Sequence, residues 1–111
     1  MIDCNVQEPF WSQLRDGRKV VEGRLNHGKF GKVEPGDVLR AHCDSEYILL
    51  QVICTRLYDS FEEMLQAEGI DRVLPGVSGI DKGVETYRQF YTAESEELHG
   101  VIAMTLEIVC V

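Results

Sequence analysis

Apolar residues recur along this chain first with a helical period, then with a two-residue period, and again with a helical one. In EPFWSQLRD, residues 8–16, Phe10 and Leu14 with Trp11 make one apolar face. Pro9 suits a first helical turn and Gly17 ends the segment, so a short helix is predicted there. Lys19–Asn26 reads as a strand, with Val20, Glu22, Arg24 and Asn26 on one face and Lys19, Val21, Gly23 and Leu25 on the other. Both faces mix apolar and ionic groups, which predicts a bend or bulge near Glu22–Gly23. His27–Gly36 is a glycine-rich loop closed by the turn Glu34-Pro35-Gly36-Asp37. Val38–Cys43 and Tyr47–Tyr58 are strands joined by Asp44-Ser45-Glu46, the second long enough to curl.

Ser60 with Glu63 is a capping box opening a helix over Phe61–Glu68, with Phe61, Met64 and Leu65 inward. Asp71–Gly79 is a loop. Ile80, Val84, Tyr87 and Tyr91 then place a helix over Asp81–Tyr91. Acidic Thr92–Glu97 connects to a last strand, Val101–Val111, whose nearly unbroken apolar character makes it an interior strand. The order helix, strand, strand, strand, helix, helix, strand predicts one α+β domain over residues 1–111, a curled and mostly antiparallel sheet with helices covering its ends.

Composition narrows the function classes. The chain has 111 residues, 44% hydrophobic and 27% charged, which excludes disordered and fibrous classes. No apolar run is long enough to span a bilayer and the N-terminus lacks a signal-peptide pattern. The expectation is an intracellular protein, cytoplasmic or nuclear, with no membrane partner. Cys4, Cys43, Cys54 and Cys110 have no Cys-x-x-Cys spacing, and His42–Cys43 would point to opposite faces of a strand. Buried free thiols are expected, with no metal site and no cofactor.

A net charge of −8 opposes nucleic-acid wrapping, but the charge is unevenly spread. Residues 1–40 carry seven basic and six acidic side chains, whereas residues 41–111 carry four and thirteen. Residues 15–32 hold six basic side chains against Asp16 and Glu22. One cationic segment in an acidic protein can focus attraction for an anion or a polar base at one cleft. Within it, lysine offers a point charge, arginine a fork or a stacking plane, and glutamate an acceptor for an exocyclic amine. Tyr91 or Trp11 could supply a stacking face. The same residues also admit a structural reading, in which Glu22 and Arg24 simply pair and Trp11 plugs the core.

The pattern Gly-x-Lys-x-x-Glu-x-Arg, met by Gly17, Lys19, Glu22 and Arg24, is followed by Pro35–Asp37, Ser60–Leu65, Leu74–Gly76, Gln89–Tyr91 and Gly100–Glu107. This succession, from Glu8 to Ile108, resembles the ASCH domains of the PUA-like group. The resemblance implies an open β-barrel of mostly antiparallel strands, and a cleft into which the motif's lysine, glutamate and arginine point. It also implies a binding module for single-stranded RNA or a modified nucleoside. The candidate ligand-binding residues are Lys19, Glu22, Arg24, Asn26 and Tyr91.

Some relatives are hydrolases, either acetylcytidine amidohydrolases or ribonucleases, which makes Lys19 and Glu22 a candidate catalytic pair. The amidohydrolase branch has a threonine where this chain has Glu22, so the acyl-transfer hydroxyl is missing. The distant glutamate of that set would be Glu63, Glu68 or Glu85. A third reading has the acidic helices docking a protein partner, as in transcription coactivators. Ser12, Thr55 and Ser60 lack a paired histidine, and Gly28–Gly31 is not followed by the Lys-Ser or Lys-Thr of a phosphate-binding loop.

Overall fold

A computed structural model describes residues 1–109; Cys110 and Val111, which the predicted last strand included, lie outside the described residues. Its strands are β1 (Ile2–Asn5), β2 (Val21–Leu25), β3 (Val38–Cys43), β4 (Glu46–Tyr58) and β5 (Val101–Ile108). Its helices are α1 (Phe10–Arg15), α2 (Phe61–Glu68), α3 (Ile70–Val73), α4 (Ile80–Arg88) and α5 (Ala93–His99). The strands form one sheet in the order β1-β3-β4-β5-β2. All pairings are antiparallel except β1 with β3. The architecture is α+β, a mixed sheet curled into a half-barrel. No helix is long and apolar enough to cross a membrane among the described residues.

The apolar run of β5 follows from its position, because it lies between β4 and β2 and is covered on both faces. Ile102, Met104 and Leu106 join Trp11, Leu14, Phe30, Leu39 and Leu50 in one core. Val101 and Ala103 join Phe61, Met64, Leu65 and Tyr87 in a second core beneath the helices. Trp11 is the core plug that its apolar face implies, with its indole N–H donated to the Ala41 carbonyl at 2.9 Å.

The expected bulge falls elsewhere. β2 pairs with β5 without interruption from Val21–Thr105 to Leu25–Val101, and the irregularity lies in β4 between Val52 and Cys54. The mixed faces of β2 come instead from ionic groups buried against one another. The bulge breaks alternation, so Ile53 and Cys54 both face outward. The expectation of buried thiols therefore holds for Cys4, whereas Cys43 is half-buried and Cys54 exposed.

Four elements are additional to the predicted order. β1 pairs in parallel with β3. The loop after β2 contains a 3-10 helix, Gly28–Lys32, that buries Phe30. α3 opens the predicted loop after α2. The acidic connection is α5, capped by Thr92, whose hydroxyl oxygen accepts from the Ser95 N–H at 3.1 Å. The Ser60 cap on α2 is present, accepting from the Glu63 N–H at 3.0 Å. Buried Glu96 on α5 accepts from the Phe61 N–H at 2.8 Å and from Arg88 at 2.7 Å, so one carboxylate holds α2, α4 and α5 together.

Candidate functional site

β1 and β2 are the two edges of the sheet, and curling brings them close. Arg24 Nη2 on β2 donates to the Asn5 carbonyl of β1 at 2.7 Å, across the seam of the half-barrel. A cavity of about 270 Å³ opens there, lined by Asn5, Gln7, Phe10, Glu22, Arg24, Tyr87, Phe90 and Tyr91 among others. Lys19 stands in its wall behind Glu22.

The local chain path explains how the ionic groups meet. α1 ends at Gly17, whose φ of +79° is accessible to glycine with little strain. The N–H groups of Arg18 and Lys19 then both return to the Gln13 carbonyl, at 3.0 and 3.1 Å. β2 begins only at Val21, so Lys19 is not bound by strand alternation and swings toward Glu22 instead of away from it. Its ammonium lies 3.2 Å from Glu22 Oε1 and also donates to the Val21 carbonyl at 2.8 Å and to the Val73 carbonyl. All three donors are engaged and the side chain is 1% exposed. Arg24 Nη2 reaches Glu22 Oε2 at 3.2 Å, and the guanidinium sits 5.0 Å over the Phe30 ring.

This cluster of two cations and one carboxylate has shifted titration. Burial pulls the Lys19 ammonium below its ordinary value, more than Glu22 raises it. Burial pushes the Glu22 carboxyl up, but the charges of Lys19 and Arg24 outweigh this and hold it below its usual 4.5. Burial also opposes the Arg24 charge, yet Glu22 raises that group above its usual value.

A depressed carboxyl contributes stability that is complete above its unfolded pKa and lost as pH falls through the folded one. Glu68, held down mainly by its hydrogen bond to Arg56, and Asp3, held down mainly by Arg40, have the same sign. The thermal midpoint should therefore decline as pH falls below about 4.5, and melts across an acid series check it. A midpoint flat to well below that pH would contradict the pairing.

The structure brings Lys19, Glu22, Arg24 and Tyr91 together, but Asn26 does not line the cavity. β2 ends at Leu25, and the Asn26 N–H is tied to the Gly100 carbonyl at 3.0 Å. Of the three glutamates considered for a catalytic set, none lines the cavity. Glu63 and Glu85 are exposed, and Glu68 is committed to Arg56 and Tyr58.

The sequence reading missed Asn5, Gln7, Thr86, Tyr87 and Phe90 as cavity residues. The Tyr87 ring stacks on Phe61 at 4.1 Å, as a core residue should. Its hydroxyl, by contrast, has no hydrogen-bond partner among the described residues. A larger and more open hollow of about 400 Å³ lies by Leu14, Gly17 and Glu107, where Arg15 and Asp16 pair with each other at the rim. No cluster of three His, Cys, Asp or Glu side chains placed to hold a metal occurs among the described residues.

The model of the ASCH domain matches residues 5–109. The chain is similar to the crystal structure of hypothetical protein PH0355, at 39% identity and a TM-score of 0.90, covering 96% of this chain and 97% of that one. It is also similar to the solution structure of protein PF0455 from Pyrococcus furiosus, at 37% identity and a TM-score of 0.81, covering 97% and 96%. Protein EF3133 from Enterococcus faecalis V583 shares the fold at 12% identity and a TM-score of 0.62, over 88% of this chain and 68% of that one. No curated protein matches the chain.

Proposed function

This chain belongs to the ASCH domain family, a PUA-like family associated with RNA binding, and from that premise we propose that its seam cavity holds a single base, free as a nucleoside or carried on a single RNA strand. The observation that carries this reading is the buried Lys19–Glu22–Arg24 cluster in the wall of a cavity whose mouth is aromatic. A volume of about 270 Å³ lies below the roughly 300–1,000 Å³ of drug-sized pockets, which suits one ring system better than a run of nucleotides. Phe90, at 58% exposure, supplies a face for stacking at the mouth. The acidic remainder of the protein argues against wrapping a duplex, whose affinity comes from phosphate neutralisation.

Within this reading Lys19 is a positioning residue. Its saturated, buried ammonium holds Glu22 in place and does not itself meet the ligand. The hydrolase reading is less favoured, since among the described residues neither a hydroxyl in the threonine position nor a second carboxylate lines the cavity.

Titrating nucleosides and short single-stranded RNAs into labelled protein, followed by NMR, tests the proposal. Shifts should localise to Glu22, Arg24, Tyr87, Phe90 and Tyr91. Arg24→Ala should weaken binding by at least about tenfold, the loss expected for a charged hydrogen-bonding group. An absence of shifts at millimolar ligand would remove the proposal.

A further inference from the structure

Resting on the base-binding reading above, we infer that Tyr87 is a specificity residue that donates its hydroxyl to the bound base, and that with Glu22 and Arg24 it selects a pyrimidine edge over a purine edge. Tyr87 is 6% exposed, lines the cavity, and carries a buried hydroxyl with no partner among the described residues. Leaving a buried hydroxyl unpaired is costly, and a ligand acceptor would recover that cost. The hydroxyl lies beside the β2 backbone: a Cβ built on Gly23 would come within 3.1 Å of it. Glu22 leaves β2 on the opposite face from Gly23, but it lines the same cavity and its charge acts on the Tyr87 hydroxyl.

The hydrogen-bonding capacity left in this wall can be counted. Glu22 Oε1 already accepts from Lys19 and from the Gly23 N–H, both at 3.2 Å. Glu22 Oε2 accepts only from Arg24 at 3.2 Å, leaving it one free lone pair. Arg24 Nη2 is spent on Asn5 and Glu22, while Nε and Nη1 make no hydrogen bond among the described residues. Tyr87 stays a phenol, because burial and the Glu22 charge push its pKa well up. With the Tyr87 hydroxyl donating and the Arg24 guanidinium counted as one group, these three side chains offer one acceptor and two donor groups.

The complementary edge has one donor and two acceptors. Uracil and cytosine both present that set, through the imide N–H with two carbonyls or the amine with a ring nitrogen and a carbonyl. Guanine brings two donors and finds a single free lone pair. Adenine brings a single acceptor and leaves one buried donor group unmet.

The test titrates uridine, cytidine, adenosine and guanosine against the wild-type protein and Tyr87→Phe. Pyrimidine nucleosides should bind at least about tenfold tighter than purine nucleosides, and Tyr87→Phe should weaken the pyrimidines about five- to tenfold. The substitution keeps the ring that stacks on Phe61, and a thermal melt confirms that the fold is retained. A probe needing no variant is 3-methyluridine, which has lost the N–H that Glu22 would accept and should bind wild type at least about tenfold more weakly than uridine. Equal pyrimidine affinity in Tyr87→Phe, or a preference for purines, overturns this inference and leaves the cavity as a base site. Failure of every nucleoside and RNA to bind wild type overturns both.

Discussion

Glu22→Ala is expected to cost about 3–5 kcal/mol of folding stability, the range for breaking a buried ion pair by removing one partner. The alanine variant leaves Lys19, with a side chain 1% exposed, without its carboxylate partner, and Arg24 loses the group that orients it. Against a typical stability of about 5–15 kcal/mol, that is more than half of the total at the low end. Urea unfolding of wild type and variant measures the loss directly.

Lys19→Met should cost less, about 1–3 kcal/mol, because Glu22 keeps Arg24 while the Val21 and Val73 carbonyls lose a donor. The double variant Lys19→Met with Glu22→Gln should fall short of the sum of its single changes, since the buried charge that makes each so costly is gone. A Glu22→Ala protein within about 1 kcal/mol of wild type would mean that the cluster is solvated in solution and not packed as described.

Gly100→Ala should cost about 3 kcal/mol, from backbone strain of about 1–3 kcal/mol together with a steric clash. Gly100 ends α5 at φ 71° and ψ −170°, a region that side-chain-bearing residues avoid. A Cβ there would lie 2.9 Å from the Tyr58 carbonyl oxygen, a backbone atom that cannot turn aside as a flexible side chain can. The same residue accepts the Asn26 N–H, so relief by backbone movement would loosen the end of β2 as well. A melting temperature lower by roughly 12 °C or more is the corresponding reading for a chain of this size. An unchanged midpoint would show that the α5–β5 junction relaxes freely.

The residues that met the structure as the sequence implied are those whose roles are set by neighbours close in the chain. Ser60 caps a helix through the Glu63 N–H three residues on, and Gly17 closes the turn that ends α1. The strand β1 is hard to read because IDCN alternates apolar and polar residues over only four positions, and it becomes a strand only by pairing with β3, far along the chain. α5 has the sequence of a connection because AESEELH is polar almost all round, with Glu96 its only buried residue.

Tyr87 illustrates a different limit. Its spacing from Ile80, Val84 and Tyr91 marks a core stripe, which is right for the ring and silent about the hydroxyl. Whether a buried phenol finds a partner depends on what β2 places opposite it. Asn26 lies outside the cavity lining for the converse reason: alternation puts it beside Arg24, but the strand stops one residue earlier.

The grip of Glu96 on three helices bears on how a guest would be received. Tyr87 and Thr86 ride on α4, which that carboxylate fastens through Arg88 to the first turn of α2. A wall clamped in this way is shaped before any encounter, so an arriving molecule has little protein motion to quench, and affinity is set by fit and desolvation.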